Sequence, residues 1–105
     1  MIGKNNIFKM IERMNNFIQK NLEIYDPKYT VYNEFEIFDD EKMIKKIIDR
    51  INIDEKNKKI YIFDYKTGYE PEKNEKYKEQ IEDYKKILAR KVGKSYEIEA
   101  RILEV

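Results

Sequence analysis

Two aspartates and a lysine carry the sharpest chemistry in this chain. Asp64 and Lys66 close an apolar run, Ile60-Tyr-Ile-Phe-Asp64-Tyr65-Lys66, which a Thr67-Gly68 turn ends. Asp49 interrupts a second such run, Ile47-Ile-Asp49-Arg-Ile51-Asn-Ile53. Both runs have the β-branched and aromatic content of strands. Alternation along a strand sends Ile60, Ile62, Asp64 and Lys66 to one face and Tyr61, Phe63 and Tyr65 to the other. A carboxylate and an ammonium thus sit side by side where a hydrophobic strand leaves the core. Two acids and a lysine on neighbouring strands can hold a divalent metal and a water beside a phosphodiester.

A carboxylate inside an apolar strand costs several kcal/mol unless something compensates it. A metal ion is one answer and an ion pair the other. Arg50, next to Asp49, points to the opposite face and is a poor partner for it. Lys66 can pair with either acid. On spacing alone the two readings weigh about equally, because structural ion pairs are common.

The rest of the chain must position these groups. Ile7, Met10, Ile11, Met14, Ile18 and Leu22 form an amphipathic helical stripe over residues 7–22, with Asn5 or Asn6 as its cap. Asp26-Pro27 breaks it. Three strands follow, Thr30 to Phe38, Met43 to Ile53 and Lys59 to Lys66, joined by short polar turns as in an antiparallel meander. In the first, Val31, Phe35 and Ile37 share a face. After a loop at Tyr69–Asn74 the spacing of Tyr77, Ile81, Tyr84 and Leu88 predicts a helix from about Glu75 to Arg90, stopped by Gly93. Ser95 to Val105 reads as a last strand, with Tyr96, Ile98, Ala100 and Ile102 on one face. The expected fold is α/β (α+β), in the order α-β-β-β-α-β.

Composition narrows the chemistry. With 105 residues the expectation is one domain, 1–105, built on a modest core. There is no cysteine and no histidine, which excludes disulfides, thiolate zinc and iron–sulfur clusters. Any metal is therefore held by oxygen, which favours magnesium or manganese. A net charge of +1 means that contact with nucleic acid must come from local clustering. The Lys85–Lys94 stretch is the most basic, and reads first as a solvated helix face and second as a phosphate-tracking patch. No apolar run is long enough for a transmembrane helix and no signal-peptide core is visible, so a cytoplasmic location is expected.

Three blocks in order, Ile48-Asp49-Arg50-Ile51, Asp64-Tyr65-Lys66-Thr67-Gly68 and Gln80-x-x-x-Tyr84, resemble the RecB-type (exonuclease V-like) nuclease domain of the PD-(D/E)XK superfamily. The likeness covers roughly residues 7–105. It implies a restriction-endonuclease-like core, a central mixed sheet flanked by two helices, and a DNA-cleaving activity that uses Mg2+ or Mn2+. By resemblance, Asp49 and Asp64 are metal ligands, with the carbonyl of Tyr65 as another. Lys66 orients or deprotonates the attacking water, and Gln80 and Tyr84 brace the site or contact the DNA backbone. Tyr69, in the loop beside the site, is the best base-stacking candidate.

The chain departs from the family pattern in two places. Ile47 stands where a glycine is usual, two residues before the first aspartate. The histidine that many members carry on the first helix is absent, leaving Glu12, Glu34 or Glu36 as a third acidic ligand, with Glu34 favoured. DNA is the expected partner, together with a second copy or a helicase or recombination protein. The alternatives are a catalytically inactive module of the same fold that binds nucleic acid or protein, and a purely structural domain whose acids are paired internally.

Overall fold

The computed structural model describes residues 4–105, with side chains from Ile7 onward. Helix α1 (Lys4–Lys20) is followed by a short 3-10 turn at Leu22–Tyr25. Strands β1 (Thr30–Asp39), β2 (Ile44–Asp54) and β3 (Lys59–Lys66) come next, then helix α2 (Glu75–Val92) and strand β4 (Glu97–Glu104). The order matches that expected from periodicity. The first helix starts at Lys4, so Asn5 and Asn6 lie within it rather than capping it; their side chains lie outside the described set.

The four strands make one sheet in the order β1-β2-β3-β4. The first three form the antiparallel meander, and β4 joins β3 in parallel, with Ile60 beside Ile98 and Asp64 beside Ile102. The sheet is therefore mixed. The parallel pairing follows from α2, which carries the chain back across the sheet before β4 begins.

Helix α2 covers one face. Ile81, Tyr84, Ile87 and Leu88 pack there on Ile37, Ile48, Ile51, Ile60 and Ile62, with Tyr96 just before β4 and Ile98, Ala100 and Ile102 of β4 at the border. Asn74 starts α2 by accepting the amides of Lys76 at 3.0 Å and Tyr77 at 3.2 Å. Gly93, at φ +66°, ends it in the backbone region that favours glycine.

The other face is closed by the turn after α1. Ile24 packs with Phe63 and Leu103, and Phe17 of α1 meets Tyr65 edge to face at 5.7 Å. A buried polar clamp fixes this layer. The carbonyl of Ile24 accepts from Asn52 Nδ2 at 2.8 Å and from Arg50 at 2.9 Å, while Arg50 Nε donates to Asn52 Oδ1 at 2.9 Å. The Arg50 guanidinium also lies over the Tyr25 ring at 4.8 Å. Among the described residues, no helix is long and apolar enough to cross a membrane.

Strict alternation fails once, at the centre of the sheet. Ile48 and Ile51, three apart in β2, join the same core, while Arg50 and Asn52 face the opposite layer. In β1 the ladder pairs Asn33 with Arg50 and Phe35 with Ile48 but skips Glu34 and Asp49, and Glu34 has φ +51°. Such a bulge-like irregularity re-aims one side chain without breaking the sheet. Here that side chain is Asp49.

Candidate active site

The site forms where β2 and β3 part. Their antiparallel ladder runs from Asp54–Lys59 to Arg50–Phe63. Asp49 and Asp64 follow that last pair, one on each strand. Beyond it the amide of Tyr65 donates to Asp49 Oδ2 at 2.8 Å, so a side chain takes the place of the next ladder bond. Asp49 is half-buried; Asp64 is buried, at 3% exposure.

Asp64 is electrostatically strained. Its Oδ2 is buried and finds no hydrogen-bond donor among the described residues. The Lys66 ammonium lies 3.4 Å from that oxygen, an ion pair without the alignment of a hydrogen bond. Burial pushes the Asp64 carboxyl up to about 6, the neighbouring Asp49 carboxylate adds to the rise, and Lys66 opposes it. A buried carboxylate oxygen without a donor, beside a second carboxylate, fits a cation.

Helix α2 supplies the wall. Tyr77 places its ring 4.8 Å from Lys66 Nζ, so the ammonium is held between an aromatic face and a carboxylate. Gln80 Nε2 donates to the Tyr84 hydroxyl at 2.9 Å. Burial raises the Tyr84 phenol above its usual range, and the negative charges of Asp64 and Asp49 add to this. Lys46, mostly buried on β2, lies 5.9 Å over the Tyr84 ring and 3.5 Å from Asp83.

The structure thus brings Asp49, Asp64, Lys66, Gln80 and Tyr84 to one end of the sheet. Tyr65 contributes its amide to Asp49, and its ring packs on the opposite face against Phe17. Tyr69, 89% exposed, follows Gly68 in the loop beyond β3. Glu34 is exposed at the skipped position across from Asp49. It does not complete an acidic cluster: among the described residues no three Asp, Glu, His or Cys side chains converge as a metal cage. Glu12 is exposed on α1, and Glu36 is exposed and paired with Lys45 at 3.4 Å. The expected third acid is therefore not gathered into the site, because at the unpaired Glu34 and Asp49 positions Asp49 turns to the Tyr65 amide while Glu34 stays exposed.

Sequence reasoning did not place Tyr77 against Lys66 or Lys46 against Tyr84 and Asp83. Tyr77 was legible as part of the α2 stripe, seven residues before Tyr84; its contact with Lys66 depends on how the helix crosses the sheet. The basic end of α2 is partly neutralised. Arg90 pairs with Glu41 and, at 3.9 Å, with Asp39, and Lys91 lies 3.7 Å from Asp40.

Two carboxylates suit an ion that keeps much of its water shell, as magnesium does. Oxygen donors alone, with neither thiolate nor imidazole, point the same way. Comparisons with curated proteins and with solved structures return no match. The model of the PD-(D/E)XK nuclease superfamily, in contrast, matches residues 4–105. With Asp49, then Asp64-x-Lys66, converging where two strands of a mixed sheet part, the chain belongs to the PD-(D/E)XK nuclease superfamily.

Proposed function

We propose that this protein is a metal-dependent deoxyribonuclease that hydrolyses DNA phosphodiester bonds, with a RecB-like exonuclease as the favoured form. The observation that carries this reading is the pairing of a donorless buried Asp64 oxygen with Asp49 and the Lys66 ammonium. Asp49 and Asp64 would hold Mg2+ or Mn2+. When bound, the ion supplies Lewis-acid polarisation of the phosphoryl oxygen and a water acidic enough to attack near neutral pH.

The remaining roles fall to the chain's own groups. Lys66 directs its ammonium at the equatorial phosphate oxygens, where negative charge grows as the water oxygen bonds to phosphorus. Attack forms that bond, with the attacking water giving up a proton to solvent, and breaks the bond to the leaving sugar oxygen, which takes up a proton from solvent water. The Tyr77 ring limits the positions that the ammonium can adopt. Gln80 fixes the Tyr84 hydroxyl, leaving its proton free for a phosphate oxygen or a carboxylate. Tyr69, fully in solvent, is available to stack on a base.

The test is cleavage of single- and double-stranded DNA with Mg2+ or Mn2+, comparing the wild-type chain with Lys66→Ala and Asp64→Asn. Activity that needs the ion and falls at least about a hundredfold in both variants supports the proposal. Cleavage that survives both variants overturns it. A second reading, a non-cleaving module of the same fold, draws on the Asp64–Lys66 ion pair and on the lack of a third acid. It predicts DNA binding with no cleavage under any divalent ion.

A further inference from the structure

Lys46 is a charged side chain on the face of β2 that packs under α2. Two residues before the buried Ile48, it meets Asp83 and Tyr84 of that helix, and only 18% of its side chain reaches solvent. A lysine stem is readily covered in this way, but the ammonium at its end needs a partner.

That partner is shared. Asp83 Oδ2 lies 3.5 Å from Lys46 Nζ and 3.6 Å from Lys42 Nζ, and among the described residues neither lysine pairs with a second acid. One carboxylate thus answers two ammoniums, and the cluster keeps a positive charge in excess. A brace between the β1–β2 hairpin and α2 would be complete with Lys42, which is 59% exposed and reaches the same oxygen. The mostly buried Lys46 adds charge where a brace needs none.

The excess charge lies beside the candidate active site. Counting away from the ladder, Lys66 stands two residues beyond Asp64 on β3, and Lys46 three residues beyond Asp49 on β2. Helix α2 spans both. Tyr77 lies against Lys66, and Tyr84, seven residues and about 10 Å of helical rise further on, lies against Lys46. Gln80 and the Tyr84 hydroxyl that it holds fall between them.

A DNA strand repeats its negative charge along the backbone, so a strand with one phosphate at Lys66 presents others further along. Phosphate and carboxylate oxygens are alike as acceptors for an ammonium, and one can replace the other. We infer that Lys46 holds a second backbone phosphate of the strand whose scissile phosphate sits at Asp49, Asp64 and Lys66, with Asp83 in that phosphate's place until DNA arrives. The inference rests on the nuclease reading for the placement of the strand, and it assigns Lys46 to substrate binding rather than to bond cleavage.

Fluorescence anisotropy with labelled single-stranded and duplex DNA tests it, across a salt series and with a chelator present to prevent cleavage. Lys46→Met is expected to weaken binding about tenfold and to reduce the slope of log Kd against log salt by about 1. Lys46→Arg should retain most of the affinity, because the charge remains. Asp83→Asn frees the ammonium and is expected to tighten binding about threefold, a gain that should vanish in Lys46→Met/Asp83→Asn. Lys45→Met removes the same charge one residue away, where Lys45 pairs with Glu36, and is expected to change neither affinity nor slope. With Mg2+ or Mn2+, Lys46→Met should raise KM for cleavage about tenfold and leave kcat nearly unchanged.

A wild type that binds no DNA overturns the inference. So does a Lys46→Met variant that behaves like Lys45→Met, or an Asp83→Asn gain that persists without Lys46; metal-dependent cleavage in those cases leaves the nuclease reading intact. The expected binding pattern with no cleavage under either ion would instead remove that reading and keep Lys46 as a phosphate contact.

Discussion

Asp49 Oδ2 accepts the backbone amide of Tyr65 at 2.8 Å, where β2 and β3 cease to pair. One carboxylate therefore has two duties: it ends a ladder and it presents its charge to Asp64. The two duties separate by mutation. Asp49→Asn keeps an oxygen for the Tyr65 amide and is expected to fold with near wild-type stability while losing affinity for Mn2+. Asp49→Ala strips the amide of its acceptor and is expected to cost about 1–3 kcal/mol as well. Urea denaturation and calorimetric titration with Mn2+ report the two effects independently.

Asp64 makes metal-free stability depend on pH. Its folded pKa, about 6, lies above the ordinary value of 3.8. The neutral form is thus the one the fold prefers. Its contribution is fully present below pH 3.8 and is lost as pH rises through about 6. The shift corresponds to a penalty on the order of 3 kcal/mol above that range. Asp64→Asn is expected to stabilise the metal-free chain at pH 7.5 and to flatten the pH dependence between about 4 and 7. Denaturant midpoints across this pH range, for both proteins, check the sign. Saturating Mn2+ should stabilise the wild type but not the variant.

Tyr77 is expected to act through Lys66. Tyr77→Leu removes the ring under the ammonium and should slow DNA cleavage about threefold to thirtyfold, with Mn2+ affinity unchanged. Tyr77→Phe, which retains the ring, should restore most of the rate. A cleavage rate that responds to neither change would show that the ring does not orient the amine.

The clamp behind the sheet should be the most sensitive structural feature. Asn52 is fully buried and joins Ile24 to Arg50. Asn52→Leu leaves Arg50 Nε without its acceptor in a closed layer, and about 2–4 kcal/mol of destabilisation is expected. Thermal unfolding is the direct measure. Cleavage per folded molecule should change little, since the clamp faces away from the two aspartates.

Much of this arrangement was legible in the linear sequence. Asp49 and Asp64 stood out because each interrupts an apolar strand, and alternation alone sent Arg50 away from Asp49. The α2 face was legible from Tyr77, Ile81, Tyr84 and Leu88, because helical spacing survives in a surface helix of mixed charge. What stayed hidden depends on backbone geometry that periodicity does not encode. Glu34 adopts φ +51° although it is not glycine, and the skipped pairing with Asp49 follows from that, not from residue type. Residue type alone, an acid among strand aromatics, could not tell that Glu34 would face solvent. The exposed stripe of α1 was read correctly as amphipathic. Periodicity identifies an apolar face but not what covers it.

The break in alternation at Asp49–Arg50 carries a consequence for how such a chain can evolve. Because one strand serves an anionic cleft on one side and a cationic anchor on the other, deleting a single residue between Lys46 and Asn52 would exchange the two, driving a guanidinium among the apolar side chains under α2 and leaving the cleft half discharged. The Asp40–Met43 hairpin tip, by contrast, is solvent-exposed throughout and can change length without touching either. Descendants of this chain should therefore vary freely at that tip and hardly at all in the length of the segment leading to Asn52.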